Sequence, residues 1–277
     1  MIDRSFELKG DGRKGVLLIH GLTGAPSEMR PLARRLNRAG FDVSVPQLAG
    51  HGVDEATLLK TTWRDWLDSM RAGYQRLAKE VDEVYVAGIC VGGALGLALC
   101  AETPEIRGAA AYSMTFEYDG WNMPQFAVAA PLIQFVAHLP LVRRLSWKET
   151  YPYGLKDLRL RELASREPDT LIEGSIDRLP IGALYEMYRL ARHVERLGPE
   201  ILTPTLIVHA REDDMAHLRN AERLRDALGG PVRLEILEDS YHMIHVDKER
   251  SRVGDMTAAF FGATAPAAAS AKARVDA

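Results

Sequence analysis

One segment constrains this chain more than any other. Val84-Tyr-Val-Ala87 is a short apolar run that leads directly into Gly88, and an apolar helical run follows that ends near Glu102. A strand therefore passes into a helix through Gly88-Ile89-Cys90-Val91-Gly92 with no room for a loop. The turn is so tight that a side chain at 88 or 92 would collide with its neighbours. Cys90, at its centre, is held in a strained backbone conformation and lifted above the sheet. It also stands at a helix N-terminus, where unpaired amides favour negative charge.

The same alternation extends on both sides of this turn. Gly15–His20 reads as a buried strand. Ser27–Ala39 reads as a helix, with Ser27 as N-cap and Gly40 as its stop. Phe41–Val45 is a second strand. Thr62 to about Lys79 is a helix with Trp63, Trp66, Leu67, Met70, Tyr74 and Leu77 along one side, and Ile106–Tyr112 is a further strand. From Ser113 to Glu200 the alternation stops; the stretch is rich in proline and aromatics, has no clear strand, and reads as a helical insertion. Beyond Pro204, Thr205–His209 is a strand, Ala216–Leu228 a helix, Val232–Leu237 a strand and Asp247–Phe261 a closing helix. Residues 262–277 are small and aperiodic and read as a disordered tail. The expected fold class is α/β, a mainly parallel doubly wound sheet with a helical cap. The core is assigned to 1–112 and 201–261, and the cap to 113–200. In such sheets the chemistry sits just beyond the carboxyl ends of the strands.

Composition narrows the function classes. Apolar residues at 47% and charged residues at 26% describe a soluble globular protein, and a net charge of −3 gives no reason to expect a nucleic-acid or membrane-surface partner. The first residues, MIDRSFELKGDGRKG, contain no apolar core of a signal peptide, and no stretch is long and apolar enough to span a bilayer. Cys90 and Cys100, ten residues apart on one helix, would lie roughly 15 Å from each other, too far for a disulfide. Two unbridged thiols fit a reducing compartment, and the expected location is cytoplasmic. No Cys/His cluster has metal-ligand spacing, so neither a metal nor another cofactor is expected.

The chemistry-bearing residues fall where the sheet rule places them. Gly88-Ile-Cys-Val-Gly92 has the form of a nucleophile elbow with cysteine in place of serine; the competing reading of Cys90 is a small buried hydrophobe. Cys100, inside the apolar run, reads as core. His20-Gly21-Leu22-Thr23-Gly24 follows the first strand of the alternation. The strand Thr205–His209 is followed by Ala210-Arg-Glu-Asp-Asp-Met215, which offers Glu212, Asp213 and Asp214 as acids, with Asp214 also the expected N-cap of the next helix. Glu238-Asp-Ser-Tyr-His242-Met-Ile-His245 follows the last strand and offers two histidines. His138, His193, His209 and His217 match no role.

With Gly50-His51-Gly52 and Trp63-Arg-Asp-Trp66 added to these motifs, the chain resembles the α/β-hydrolase superfamily. More closely it resembles the small bacterial carboxylesterases and monoacylglycerol-lipase-like enzymes, over about residues 14–112 and 201–260. The resemblance implies Cys90 as nucleophile, Asp213 as acid and His242 as base. It implies the backbone amides of Leu22 and Val91 as oxyanion donors, with Gly21, Gly88 and Gly92 shaping the loops, while His20 and His51 brace them. Tyr241 stands where the family has glycine. The resemblance further implies hydrolysis of a carboxylic ester, thioester or lactone through an acyl-enzyme, on a small and apolar acyl substrate. Cap aromatics such as Phe116, Trp121, Phe126, Tyr185 and Tyr188 would line its pocket. Two other readings stay open: acyl transfer from Cys90 to an amine, thiol or alcohol, and a non-catalytic binding protein on this scaffold.

Overall fold

A computed structural model describes residues 3–123, 137, 139–148, 150–166 and 173–264. The expected 262–277 tail lies outside the described residues from 265 onward, as do Phe126 and His138.

The core is a seven-stranded sheet. Its strands are β1 (Phe6–Leu8), β2 (Lys14–Ile19), β3 (Asp42–Val45), β4 (Glu83–Ile89), β5 (Ala109–Tyr112), β8 (Thr205–Ala210) and β9 (Val232–Leu237), in the order β1-β3-β2-β4-β5-β8-β9. All neighbours are parallel except β1, which runs antiparallel along the edge of β3. The chain passes from β2 to β3 on one side and then to β4 on the other, so the order reverses at β2, the position where open sheets leave a crevice for ligands. Ile19 pairs with Gly88 in register, and Ala210 pairs with Leu237. The loops after β2 and β4 thus leave the sheet side by side, as do those after β8 and β9.

The helices that matter for the site are α1 (Arg30–Arg38), α2 (Trp63–Leu77), α3 (Val91–Glu102), α4 (Ile181–Leu197), α5 (Arg219–Ala227) and α6 (Arg250–Ala263). Helix α2 starts at a capping box in which Thr62 and Asp65 bond reciprocally, and it buries Trp63, Trp66, Leu67, Met70 and Leu77, the stripe its spacing predicts. Helix α3 is buried on every side from Val91 to Cys100, which is why its sequence shows no amphipathic period. Cys100 is a free thiol in this core, and burial pushes its pKa up to about 12.

Several expectations are corrected. The turn before α1 is a 3-10 segment, Pro26–Met29, and Ser27 caps nothing; its hydroxyl donates to the Glu173 carbonyl instead. The 113–200 stretch is not free of strands: β6 (Ser146–Lys148) and β7 (Arg178–Pro180) form an antiparallel ribbon, too short to give a readable alternation. Helix α5 begins at Arg219 rather than Ala216, because the Asp213 carboxylate takes the Met215 and Ala216 amides and holds that segment as loop. Trp121 is 59% exposed and is not part of a buried cap cluster, whereas Phe116 and Tyr188 are buried.

The glycine contacts make a paired prediction. A Cβ on Gly92 would sit 2.4 Å from the Ile19 carbonyl oxygen, whereas one on Gly96, a turn later in α3, would meet nothing closer than 3.5 Å. Gly92→Ala is expected to cost about 1–3 kcal/mol in urea unfolding. Gly96→Ala is expected to be neutral or to stabilise by up to about 1 kcal/mol.

Candidate active site

Cys90 occupies the hinge between β4 and α3 with φ 51° and ψ −114°, a left-handed conformation rare for any residue but glycine. Such strain costs on the order of 1–3 kcal/mol and persists only where the surroundings dictate it. Here they do. The Cys90 amide donates to the Tyr112 carbonyl at 2.8 Å, and the backbones of Gly88 and Gly92 pack so closely that a Cβ on Gly88 would lie 2.4 Å from Gly92. The thiol is 5% exposed, with the Thr115 hydroxyl oxygen 3.6 Å and the Tyr118 hydroxyl 3.8 Å from sulfur.

His242 lies in the loop after β9, and Cys90 is among the groups that raise its pKa. Its Nδ1 sits 2.9 and 3.0 Å from the two carboxylate oxygens of Asp213, in the loop after β8. With Nδ1 donating to Asp213, Nε2 is the ring atom left for the sulfur. The three side chains thus meet from three separate strand ends. Burial opposes the imidazolium, but the charge of Asp213, its hydrogen bond and the sulfur outweigh it and raise the His242 pKa well above the usual value. Asp213 responds in the opposite sense. Burial disfavours its charge, yet the His242 charge and hydrogen bond, then His209 and the Ala216 amide, hold its pKa below the ordinary carboxylate value.

His245, the other histidine of that loop, does not reach Asp213. It is fully buried 4.0 Å from Glu28, and burial followed by the His242 charge pushes its pKa down to about 3. Tyr241, in place of glycine, is not among the residues with positive φ, so the loop takes a side chain there without strain.

After β2, the loop Gly21–Gly24 is fixed from within. The Gly21 amide donates to the buried Glu28 carboxylate at 2.6 Å, and Thr23 turns the chain with φ 64°. His20 Nδ1 donates to the Gly21 carbonyl at 3.0 Å and Nε2 accepts from the Leu48 amide at 3.2 Å, a pattern only the neutral ring can make. Burial, with the nearby His51, pushes the His20 pKa down to about 3 in keeping with this. The amides of Leu22 and Val91 donate to no described residue, and Val91 is the first residue of α3, where such donors go unpaired.

Four further residues shape the site, and their roles were not read from the sequence. His209 is buried with Nε2 3.5 Å from Asp213 and donating to the Ala216 carbonyl at 2.8 Å, so it supports the acid rather than merely filling the core. Asp214 is not a helix cap; its carboxylate accepts the His242 and Gly154 amides. The Ser113 hydroxyl donates to the His242 carbonyl at 2.8 Å. Buried Asp247 accepts the Lys156, Asp157 and Tyr241 amides, each at 2.8 Å. These last bonds tie segment 154–157 to the histidine loop. Only His209 had a sequence cue, its place at the end of the strand that precedes the acid.

The His242 shift has a definite sign. A pKa raised by folding contributes stability that is complete below the unfolded value near 6.5 and is lost as pH rises through the folded value. The urea midpoint of the wild type should therefore exceed that of His242→Asn most between about pH 4.5 and 6.5, with the gap narrowing toward alkaline pH.

A family model described as serine aminopeptidase, S33 matches residues 10–249. The thermostable monoacylglycerol lipase of Bacillus sp. (strain H-257) is 28% identical over 252 residues, 91% of each chain. The carboxylesterase of Bacillus subtilis (strain 168) is 28% identical over 254 residues, 90% of this chain and 92% of that one. Among solved structures, a lipolytic enzyme from the metagenome-derived LipS and LipT study superposes with a TM-score of 0.78 at 25% identity, covering 93% of this chain and 96% of that one. The monoacylglycerol lipase of Paleococcus ferrophilus shares the fold with a TM-score of 0.77 at 18% identity, covering 96% of this chain and all of the other. With most of its length matched by the family model and a seven-stranded, mostly parallel sheet behind the site, the chain belongs to the serine aminopeptidase, S33 family and is an α/β-hydrolase of the lipase and esterase type.

Proposed function

We propose that this hydrolase cleaves a carboxylic ester or thioester through a covalent acyl-enzyme on Cys90. The observation that carries the proposal is the buried His242–Asp213 pair, whose imidazole responds to Cys90, with the cysteine on the strained turn between β4 and α3. In this reading His242 Nε2 takes the thiol proton and Asp213 keeps the ring in the Nδ1–H tautomer while supporting its positive charge. The sulfur attacks the acyl carbonyl, and the oxyanion is received by the amides of Leu22 and Val91; one such donor contributes about 3 kcal/mol. Collapse expels the alcohol or thiol with the proton held by His242 and leaves a thioester on Cys90. His242 then draws a proton from water, which attacks the thioester; the carboxylic acid departs and the thiol is restored.

The names of the relatives, a monoacylglycerol lipase and a carboxylesterase, support an apolar acyl ester as substrate. So do the apolar and aromatic faces of Phe116, Tyr118, Met187 and Tyr188, all buried. We read residues 113–200 as the cap that covers this pocket, since segment 154–157 bonds directly to the histidine loop. Two unbridged cysteines support a reducing, cytoplasmic setting.

Intact-mass spectrometry after exposure to p-nitrophenyl butyrate is the test. The expected result is one added acyl group, mapped to Cys90 and absent from Cys90→Ala. His242→Gln should slow acylation about 100- to 10,000-fold. Turnover by Cys90→Ala at the wild-type rate would sink the proposal.

A further inference from the structure

Away from this site, α1 and α6 pack together and leave a groove of about 340 Å³ between them, lined by Arg30, Arg34, Arg35, Arg38, Arg250 and Ser251. We propose that this groove binds a small anion carrying two or more phosphoryl groups, such as the pyrophosphate portion of a nucleotide.

The arginine distribution carries the inference. Arg30, Arg34 and Arg38 recur every four residues, so three like charges are stacked along one stripe of a nine-residue helix, an arrangement that weakens an isolated helix. The chain as a whole is acidic, with 38 carboxylates against 35 basic residues, and it pairs arginines readily elsewhere: Arg71 with Glu102, Arg211 with Glu238, Arg223 with Glu195. No carboxylate among the described residues lines the groove; Arg35 is bound at 2.6 Å by Asp255, which is not among the lining residues. Among the described residues, Arg30, Arg34, Arg38 and Arg250 form no ion pair. Two of them are nonetheless held in place. The Arg30 guanidinium lies 4.6 Å from the centre of the Phe6 ring, and Arg250 donates to the Asp247 carbonyl at 3.0 Å.

A folded surface gains nothing from four arginines without carboxylate partners around one groove, but a multiply charged anion does. Guanidinium forks match phosphate oxygens bidentately, and a single carboxylate would neutralise only one of the four. The volume falls at the lower end of small-ligand pockets, about 300–1,000 Å³, which suits a pyrophosphate group and excludes a large ligand.

Titration calorimetry of the full chain with pyrophosphate at low salt tests the assignment. The expected result is saturable binding with one site per chain. Arg34→Gln/Arg38→Gln should weaken it at least about ten-fold, the scale of one charge-assisted hydrogen bond. Arg225→Gln/Arg233→Gln, which removes two exposed arginines far along the sequence, should leave it within about two-fold. The groove variant loses like-charge contacts only, so its thermal midpoint should not fall, and loss of binding cannot then be ascribed to unfolding. Sedimentation with vesicles of phosphatidylcholine and phosphatidylglycerol in equal parts separates the other source of phosphate. Absence of pyrophosphate binding, equal binding by the groove variant, or an arginine-dependent association with vesicles alone would each overturn the proposal. None of these readouts depends on the chemistry at Cys90.

Discussion

The elbow depends on a close backbone approach to the end of β2 and the loop that follows it. Gly92 lies against the carbonyls of Ile19 and His20, and Gly88 lies against Gly92 itself. Because no Cβ intervenes, the first turn of α3 comes down onto the end of β2. The strained φ of Cys90 is the geometric consequence: a strand that must become a helix within one residue has no relaxed conformation open to it. Interactions formed across the whole molecule hold that residue, since β2, β4 and β5 all contribute a backbone group to the turn.

The histidine is secured by a different device. A side chain in a long loop after an edge strand would ordinarily sample many positions, yet His242 is held at three of its polar groups. Its amide donates to Asp214, its carbonyl accepts from Ser113, and its Nδ1 donates to Asp213. Asp247 extends the same logic by gathering three amides from the loop and from segment 154–157. Carboxylates accepting several backbone N–H groups are among the stronger restraints available to a loop. Three buried aspartates, 213, 214 and 247, thus act on one histidine and its supporting backbone. The crowding has a visible electrostatic effect. Burial and the neighbouring Asp213 charge raise the pKa of Asp214, while Asp213, which has the imidazole to itself, goes the other way.

What could be read from the sequence follows from which interactions are local. The elbow was legible because glycine spacing and apolar runs are written consecutively, and the order of Cys90, Asp213 and His242 was legible because each follows a strand end. The choice between His242 and His245 needed the resemblance, since both follow β9; only packing places one against Asp213 and the other against Glu28. Asp214 had the composition of a helix cap and the position of one. Its real partners, Gly154 and His242, are 60 and 28 residues away, and no local pattern encodes such a contact. The β6–β7 ribbon was missed for a related reason: three-residue strands paired across thirty residues carry no period. Ser27 failed as a cap because Pro26 already sets the first turn, leaving its hydroxyl free for Glu173.

Among the described residues, five histidines lie buried around the carboxyl edge of the sheet, and they differ in how readily they accept a proton. Burial penalises the imidazolium in all of them. For His20, His51 and His245 little opposes that penalty, and their pKa values fall to about 3, 4 and 3. His209 has Asp213 nearby, but Nε2 is committed to the Ala216 carbonyl, the approach to the carboxylate is 3.5 Å, and its pKa is still lowered. Only His242 has both a carboxylate in direct hydrogen-bond contact and a sulfur on its other side, and only its pKa rises. The same desolvation therefore has two outcomes, and the direct hydrogen bond to Asp213 sets His242 apart. Near neutral pH the surrounding histidines are fixed dipoles that shape loops, and His242 is the one of the five whose pKa is raised. A second protonated imidazole would compete for Asp213 and weaken its hold on His242, so the lowered pKa of His209 leaves the carboxylate to His242.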